Sequence, residues 1–111
     1  MNRKELGRIT HATFGYGGYQ DAQFGLSIVL EGSEWGTSSF KGEWSLDIDC
    51  SEHCKWTEED RSNGYAEVVR FLNKTLKDAK KQHVDELVGV PIEAEFEGVI
   101  LKSWRILTEV L

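Results

Sequence analysis

The residues most suggestive of chemistry in this chain of 111 form one short run, Cys50-Ser51-Glu52-His53-Cys54. Two thiols and an imidazole in the order C-x-x-H-C are zinc-ligand types. A structural zinc needs four ligands, and a catalytic zinc needs three and an open position. His11 or His83 would have to complete the set from afar, and the paired spacings of common zinc sites are missing. Cys50 also falls on the apolar side of an alternating run, where a free thiol is an ordinary small core residue. A Cys50–Cys54 disulfide would need a sharp turn to bring the Cα atoms within about 7 Å. Cys54 beside His53 has no nucleophile motif around it. The sequence therefore assigns no metal, no cofactor and no catalytic residue.

The second constellation is acidic. Asp47 and Asp49 alternate along one run, and Glu93 and Glu95 along another. If the two runs were neighbouring strands, paired carboxylates with Lys102 could hold Mg²⁺ and activate water, as a metal-dependent hydrolase or nuclease does. The plainer reading is the solvated side of a sheet, which alternation alone predicts. Such a face could also imitate DNA phosphates, but a net charge of −6 is modest for that role.

The third is the stretch Phe14-Gly15-Tyr16-Gly17-Gly18-Tyr19-Gln20-Asp21-Ala22-Gln23-Phe24-Gly25. Four aromatics and four glycines in twelve residues are unusual for a solvated loop. Aromatic rings seek a surface to lie on. Tyr16, Gly17, Gly18, Tyr19, Gln20 and Asp21 are the candidate binding residues. The alternative is a hairpin turn with its own small aromatic cluster. It is not a phosphate loop, because no Lys-Ser/Thr follows the glycines and no helix starts there. The four tryptophans are core candidates, although Trp56 is placed to stack on Arg61 one turn later.

Composition bounds what these residues can belong to. A 12.6 kDa chain with 40% hydrophobic and 29% charged residues reads as one globular domain, residues 1–111. The pI of about 5.0 argues against general affinity for nucleic acid or an anionic membrane. No apolar run approaches a membrane span, and no apolar segment follows the polar start Met1-Asn2-Arg3-Lys4-Glu5. Together with only two cysteines, this makes a reduced, cytoplasmic location the expectation.

Four strands, a helix and two strands would position these residues. Residues 1–4 read as a frayed start and 5–14 as a strand, with Gly7 as a candidate bulge because Leu6 and Ile9 fall on opposite faces. Phe24, Leu26, Ile28 and Leu30 alternate as a second strand. Residues 35–40 make a third, ended by a hairpin turn at Lys41-Gly42. Trp44, Leu46, Ile48 and Cys50 alternate with Ser45, Asp47 and Asp49 as a fourth. Thr57 caps a helix running from about 58 to 81, with Asp60 closing the capping box. Tyr65, Val68, Val69, Leu72, Leu76 and Ala79 form its apolar stripe. His83 to Val88 suggest a further helical turn, stopped by Gly89. Pro91 opens a strand with Ile92, Ala94 and Phe96 on one face. A turn at Glu97-Gly98 would pair Phe96 with Val99 and Glu93 with Lys102. The expected fold is α+β: an antiparallel sheet of about five to six strands, order ββββ-α-ββ, with one long helix across one face.

Three blocks carry a resemblance: Gly17 to Ala22 with Phe24-Gly25-Leu26-Ser27; Lys55-Trp56-Thr57-Glu58-Glu59-Asp60-Arg61; and Leu87-Val88-Gly89-Val90-Pro91 running to Leu101-Lys102-Ser103-Trp104-Arg105 and the residues after them. Together they resemble small uncharacterised proteins encoded by bacteriophages, prophages and related mobile elements. The resemblance implies a bacterial cytoplasm and an accessory job, and it transfers no residue roles. The functional expectation is a non-enzymatic binding or accessory protein, acting through a protein partner or as a homo-oligomer. The alternatives are a metal-dependent hydrolase or nuclease on the acidic face, and a small-ligand module using residues 14–25.

Overall fold

The computed structural model describes residues 2–49 and 54–111. Among the described residues, five antiparallel strands form one sheet, in the order β3-β2-β1-β4-β5: β1 (Asn2–Gly17), β2 (Gln23–Glu31), β3 (Gly36–Trp44), β4 (Pro91–Glu97) and β5 (Ile100–Ile106). One helix, α1 (Glu58–Ala79), joins β3 to the second hairpin. The chain order is therefore βββ-α-ββ, with one strand fewer before the helix than the alternation suggested. No helix among the described residues is long and apolar enough to cross a membrane.

β1 is the spine. Its first half, Asn2–Arg8, pairs with β4, and Arg8–Gly17 pairs with β2. Residues 2–4 are therefore strand, not a frayed end. The sheet is thus two staggered hairpins on one long strand. A bulge between Ile9 and His11 changes which residues face the core. Gly7 is not the bulge; it lies beneath the Trp35 ring and the Glu31 carbonyl. Leu6 and Ile9 do face opposite ways, Leu6 exposed and Ile9 fully buried.

The core lies on the side of the sheet that α1 covers. Leu26, Ile28 and Leu30 bury there with Ile92, Ala94 and Phe96, as their alternation predicts. On β3, Lys41 (opposite Leu26) and Glu43 (opposite Phe24) share that face and meet the helix: Lys41 pairs with Glu67 at 3.6 Å, and Glu43 packs on Gly64. Trp35 extends the core over Phe96, with ring centroids 5.2 Å apart.

The helix starts as read. Asp60 N–H donates to Thr57 Oγ1 at 3.1 Å, and Thr57 N–H donates to the Asp60 carboxylate at 2.9 Å. It ends at Lys80 in a left-handed conformation, where Lys81 N–H reaches back to the Leu76 carbonyl. The buried stripe differs from the expected one: Arg61 and Thr75 lie inside, while Val69 is exposed. Val84–Leu87 form one 3-10 turn, followed by Gly89 at φ 94°.

Two further corrections concern strand ends. Lys41 and Gly42 are not a turn; β3 runs straight through them, paired with Leu26 and Gly25. Of the strand expected at 44–51, Trp44 is only the last residue of β3, and the described residues 45–49 form no strand. The chain leaves the sheet after Trp44 because the Arg61 guanidinium takes the Ser45 carbonyl at 2.6 Å and the Ile48 carbonyl at 2.7 Å. Those carbonyls would otherwise serve a ladder. In the β4–β5 hairpin the turn residues are Gly98 and Val99, with Gly98 at φ 63°. Glu97 then faces Ile100, and a bulge beyond Phe96 brings Glu93 opposite Arg105 rather than Lys102. The cross-strand ion pair survives with a different base, Arg105 to Glu93 at 3.2 Å.

Candidate functional site

An apolar groove opens between the free end of the β1–β2 hairpin and the first half of α1. Its volume is about 350 Å³, and Phe14, Tyr16, Phe24, Leu46, Tyr65, Val68 and Val69 line it with Ser45. Phe14 and Tyr16 reach it from β1 because the bulge near Ile9 turns even-numbered residues to the helix side. Phe24 stands across from them on β2 and meets both rings edge-on, at 5.2 Å from Phe14 and 5.5 Å from Tyr16. These are favourable edge-to-face pairs.

The opposite wall is held by hydrogen bonds. Tyr65 Oη donates to the Trp44 carbonyl at 2.5 Å, and burial pushes its phenol pKa up. Ser45 N–H donates to the Ala22 carbonyl at 2.9 Å, and the Ser45 hydroxyl donates to Asp47, which holds that exposed carboxyl below its ordinary range. Arg61 is buried, grips Ser45 and Ile48, pairs with Glu58 and lies 4.8 Å over the Trp56 ring. The stacking expected from sequence is therefore present. This network lifts Leu46 to the mouth of the groove.

What the walls fix, the solvent still reaches. Tyr16 is 70% exposed, Leu46 76% and Val69 59%. Large apolar side chains so exposed and so close together form a patch, where scattered single ones would need no explanation.

The six candidate binding residues divide. Tyr16 lines the groove. Gly17 and Gly18 lie on the other face, under the Phe40 ring. Tyr19, Gln20 and Asp21 form a one-turn 3-10 helix at the hairpin tip, with Tyr19 exposed. Gln20 and Asp21 both adopt positive φ, 52° and 56°. Leu46, Tyr65 and Val69 escaped the sequence reading of the site. Leu46 read as inward on a strand, and Val69 read as part of the buried stripe. The signal was the surplus of apolar residues at 65, 68 and 69, wider than one packing stripe needs.

The acidic constellation does not assemble as expected, since Asp47 and Asp49 stand on no strand and Glu93 and Glu95 lie on β4. Among the described residues no group of three His, Cys, Asp or Glu side chains could hold a metal ion. Cys50 and His53 lie outside the described residues; Cys54 is half-buried with a free thiol. No protein-family model matches this sequence, and no curated protein or solved structure matches it significantly.

Proposed function

We propose that this chain is a non-enzymatic binding module that acts through protein–protein contact at the groove between the β1–β2 hairpin and α1. One observation carries the reading: Tyr16, Leu46 and Val69 surround a single apolar opening while more than half exposed. Aromatic anchors around such an opening are the usual centre of a protein interface. A small-ligand module is the second reading, favoured by the volume of about 350 Å³, which falls in the range of ligand pockets. The exposure of its walls favours a protein, because ligand pockets enclose most of what they bind. An accessory role in a mobile element, in the bacterial cytoplasm, is the setting we propose.

The test is a pair of substitutions, Leu46→Glu and Val69→Glu. Both side chains are exposed, so the melting temperature should move by no more than a degree or two. Capture of partners from the bacterial host, read by mass spectrometry, should be lost. Partners retained by both variants would refute the groove as the contact site. A melting temperature raised by a metabolite, and lowered back by the same substitutions, would favour the small-ligand reading.

A further inference from the structure

Among the described residues, no strand continues beside the second half of β1 the sheet row that β4 fills beside its first half. β4 pairs with β1 only over Asn2–Arg8, and Gly89 and Val90 close that row at Ile9. Toward Gly17, β2 is the only strand beside β1 among the described residues.

Ladder alternation says which groups are left over. Ser45 N–H donates to the Ala22 carbonyl, so even-numbered β2 residues turn their main-chain groups toward β3 and odd-numbered ones toward β1. Thr13, Gly15 and Gly17 face odd-numbered partners and bond to β2. Phe14 and Tyr16 face Leu26 and Phe24, so their N–H and C=O groups point away from β2. Among the described residues no backbone hydrogen bond reaches them from that side.

This edge is also unprotected. β3, at one border of the sheet, carries Lys41 and Glu43, and β5, at the other, carries Lys102 and Arg105. Such charges discourage edge pairing. The run Thr13-Phe14-Gly15-Tyr16-Gly17 carries none. A side chain at Gly15 would meet nothing within 4 Å, so nothing packed against that position calls for glycine.

We propose that a second copy of this chain fills the vacant row, its residues 13–17 adding antiparallel to the same five residues about a two-fold axis at Gly15. Phe14 then faces the partner's Tyr16, and Gly15 faces the partner's Gly15. The outward groups of Phe14 and Tyr16 satisfy one another in both directions, which makes the contact isologous and closed. The edge is self-complementary, and being uncharged it adds no repulsion between two chains of net charge −6. On the helix side the partner's Phe14 and Tyr16 lengthen the aromatic floor of the groove. The inference rests on the protein-contact reading and names its first partner.

Sedimentation equilibrium and amide hydrogen exchange on the whole chain test it together. The expected result is a dimer whose Phe14 and Tyr16 amides exchange roughly tenfold more slowly than at concentrations where the dimer dissociates. Tyr16→Lys should give a monomer with unchanged far-UV circular dichroism. Gly15→Lys, which has open space in the single chain, sets two lysines face to face in the dimer and should also give a monomer. A wild-type chain that stays monomeric at millimolar concentration overturns the proposal. So does a dimer in which both amides exchange freely and Gly15→Lys changes nothing. A monomer that still captures a host protein through Leu46 and Val69 overturns self-pairing while leaving the groove reading in place.

Discussion

Arg61 shows most plainly how one side chain determines local structure. Its guanidinium satisfies two carbonyls of the segment after β3, pairs with Glu58 and stacks on Trp56. Arg61→Met keeps much of the stem packing but orphans both carbonyls. Loss of charge-assisted bonds at a buried site should destabilise by about 2–4 kcal/mol, measured by urea denaturation. Arg105 acts at the surface. Its two hydrogen bonds hold the Glu109 carboxyl down to about 2, from an ordinary 4.5. A carboxyl lowered in the folded state contributes stability above its unfolded value and loses it as pH falls toward the folded one. The contribution of this pair is therefore full above about pH 5 and disappears toward pH 2. Both side chains are about half exposed, so solvent screening keeps it small. An NMR titration should place the Glu109 midpoint near 2 and return it toward 4.5 in Arg105→Gln; an unmoved midpoint would reject the pairing.

At the scale of the element, a row of glycines divides the sheet by role. Gly15, Gly25 and Gly42 stand side by side across β1, β2 and β3. A Cβ on Gly25 would drive into the Lys41 carbonyl and the Gly42 backbone, and neither can yield. Gly25→Ala should therefore cost roughly 2–4 kcal/mol, as overpacking against backbone does. Gly15→Ala meets open space and should be neutral or stabilising by about 0.5–1 kcal/mol. Thermal melts of the two variants under one buffer would separate them, and equal losses would reject the packing described. The hairpin tip offers a milder case. Gln20 pays for a left-handed backbone that glycine adopts freely, so Gln20→Gly should leave stability level or slightly raised.

The whole molecule is longer than its mass suggests. Its radius of gyration is 15.3 Å and its longest extent 47 Å, against about 13 Å expected for a compact domain of this length. The two staggered hairpins account for this, because each extends past the other along β1. The same stagger leaves both the vacant strand row and the open groove on the β1–β2 side. Net charge acts at this scale too. Two chains of −6 repel through the solvent, so added salt should tighten the dimer, read as a falling dissociation constant between low and physiological ionic strength. A dissociation constant that rises with salt would show that charge pairs, rather than an uncharged edge, hold the copies together.

Much of this could be read in the chain itself wherever one short range of residues supplied the whole interaction. Thr57 and Asp60 cap each other within one turn, Leu26, Ile28 and Leu30 repeat every second place, and Ile92, Ala94 and Phe96 do the same. Local geometry and periodicity determine such elements. The apparent strand after Trp44 alternated equally well, yet a guanidinium from the next element captured its carbonyls. The register of β4 against β5 turned on which two residues made the turn, and the groove on which of several apolar residues found cover. Those outcomes depend on groups far apart in the chain competing for the same hydrogen bonds and the same buried surface, and only the assembled sheet and helix settle that competition.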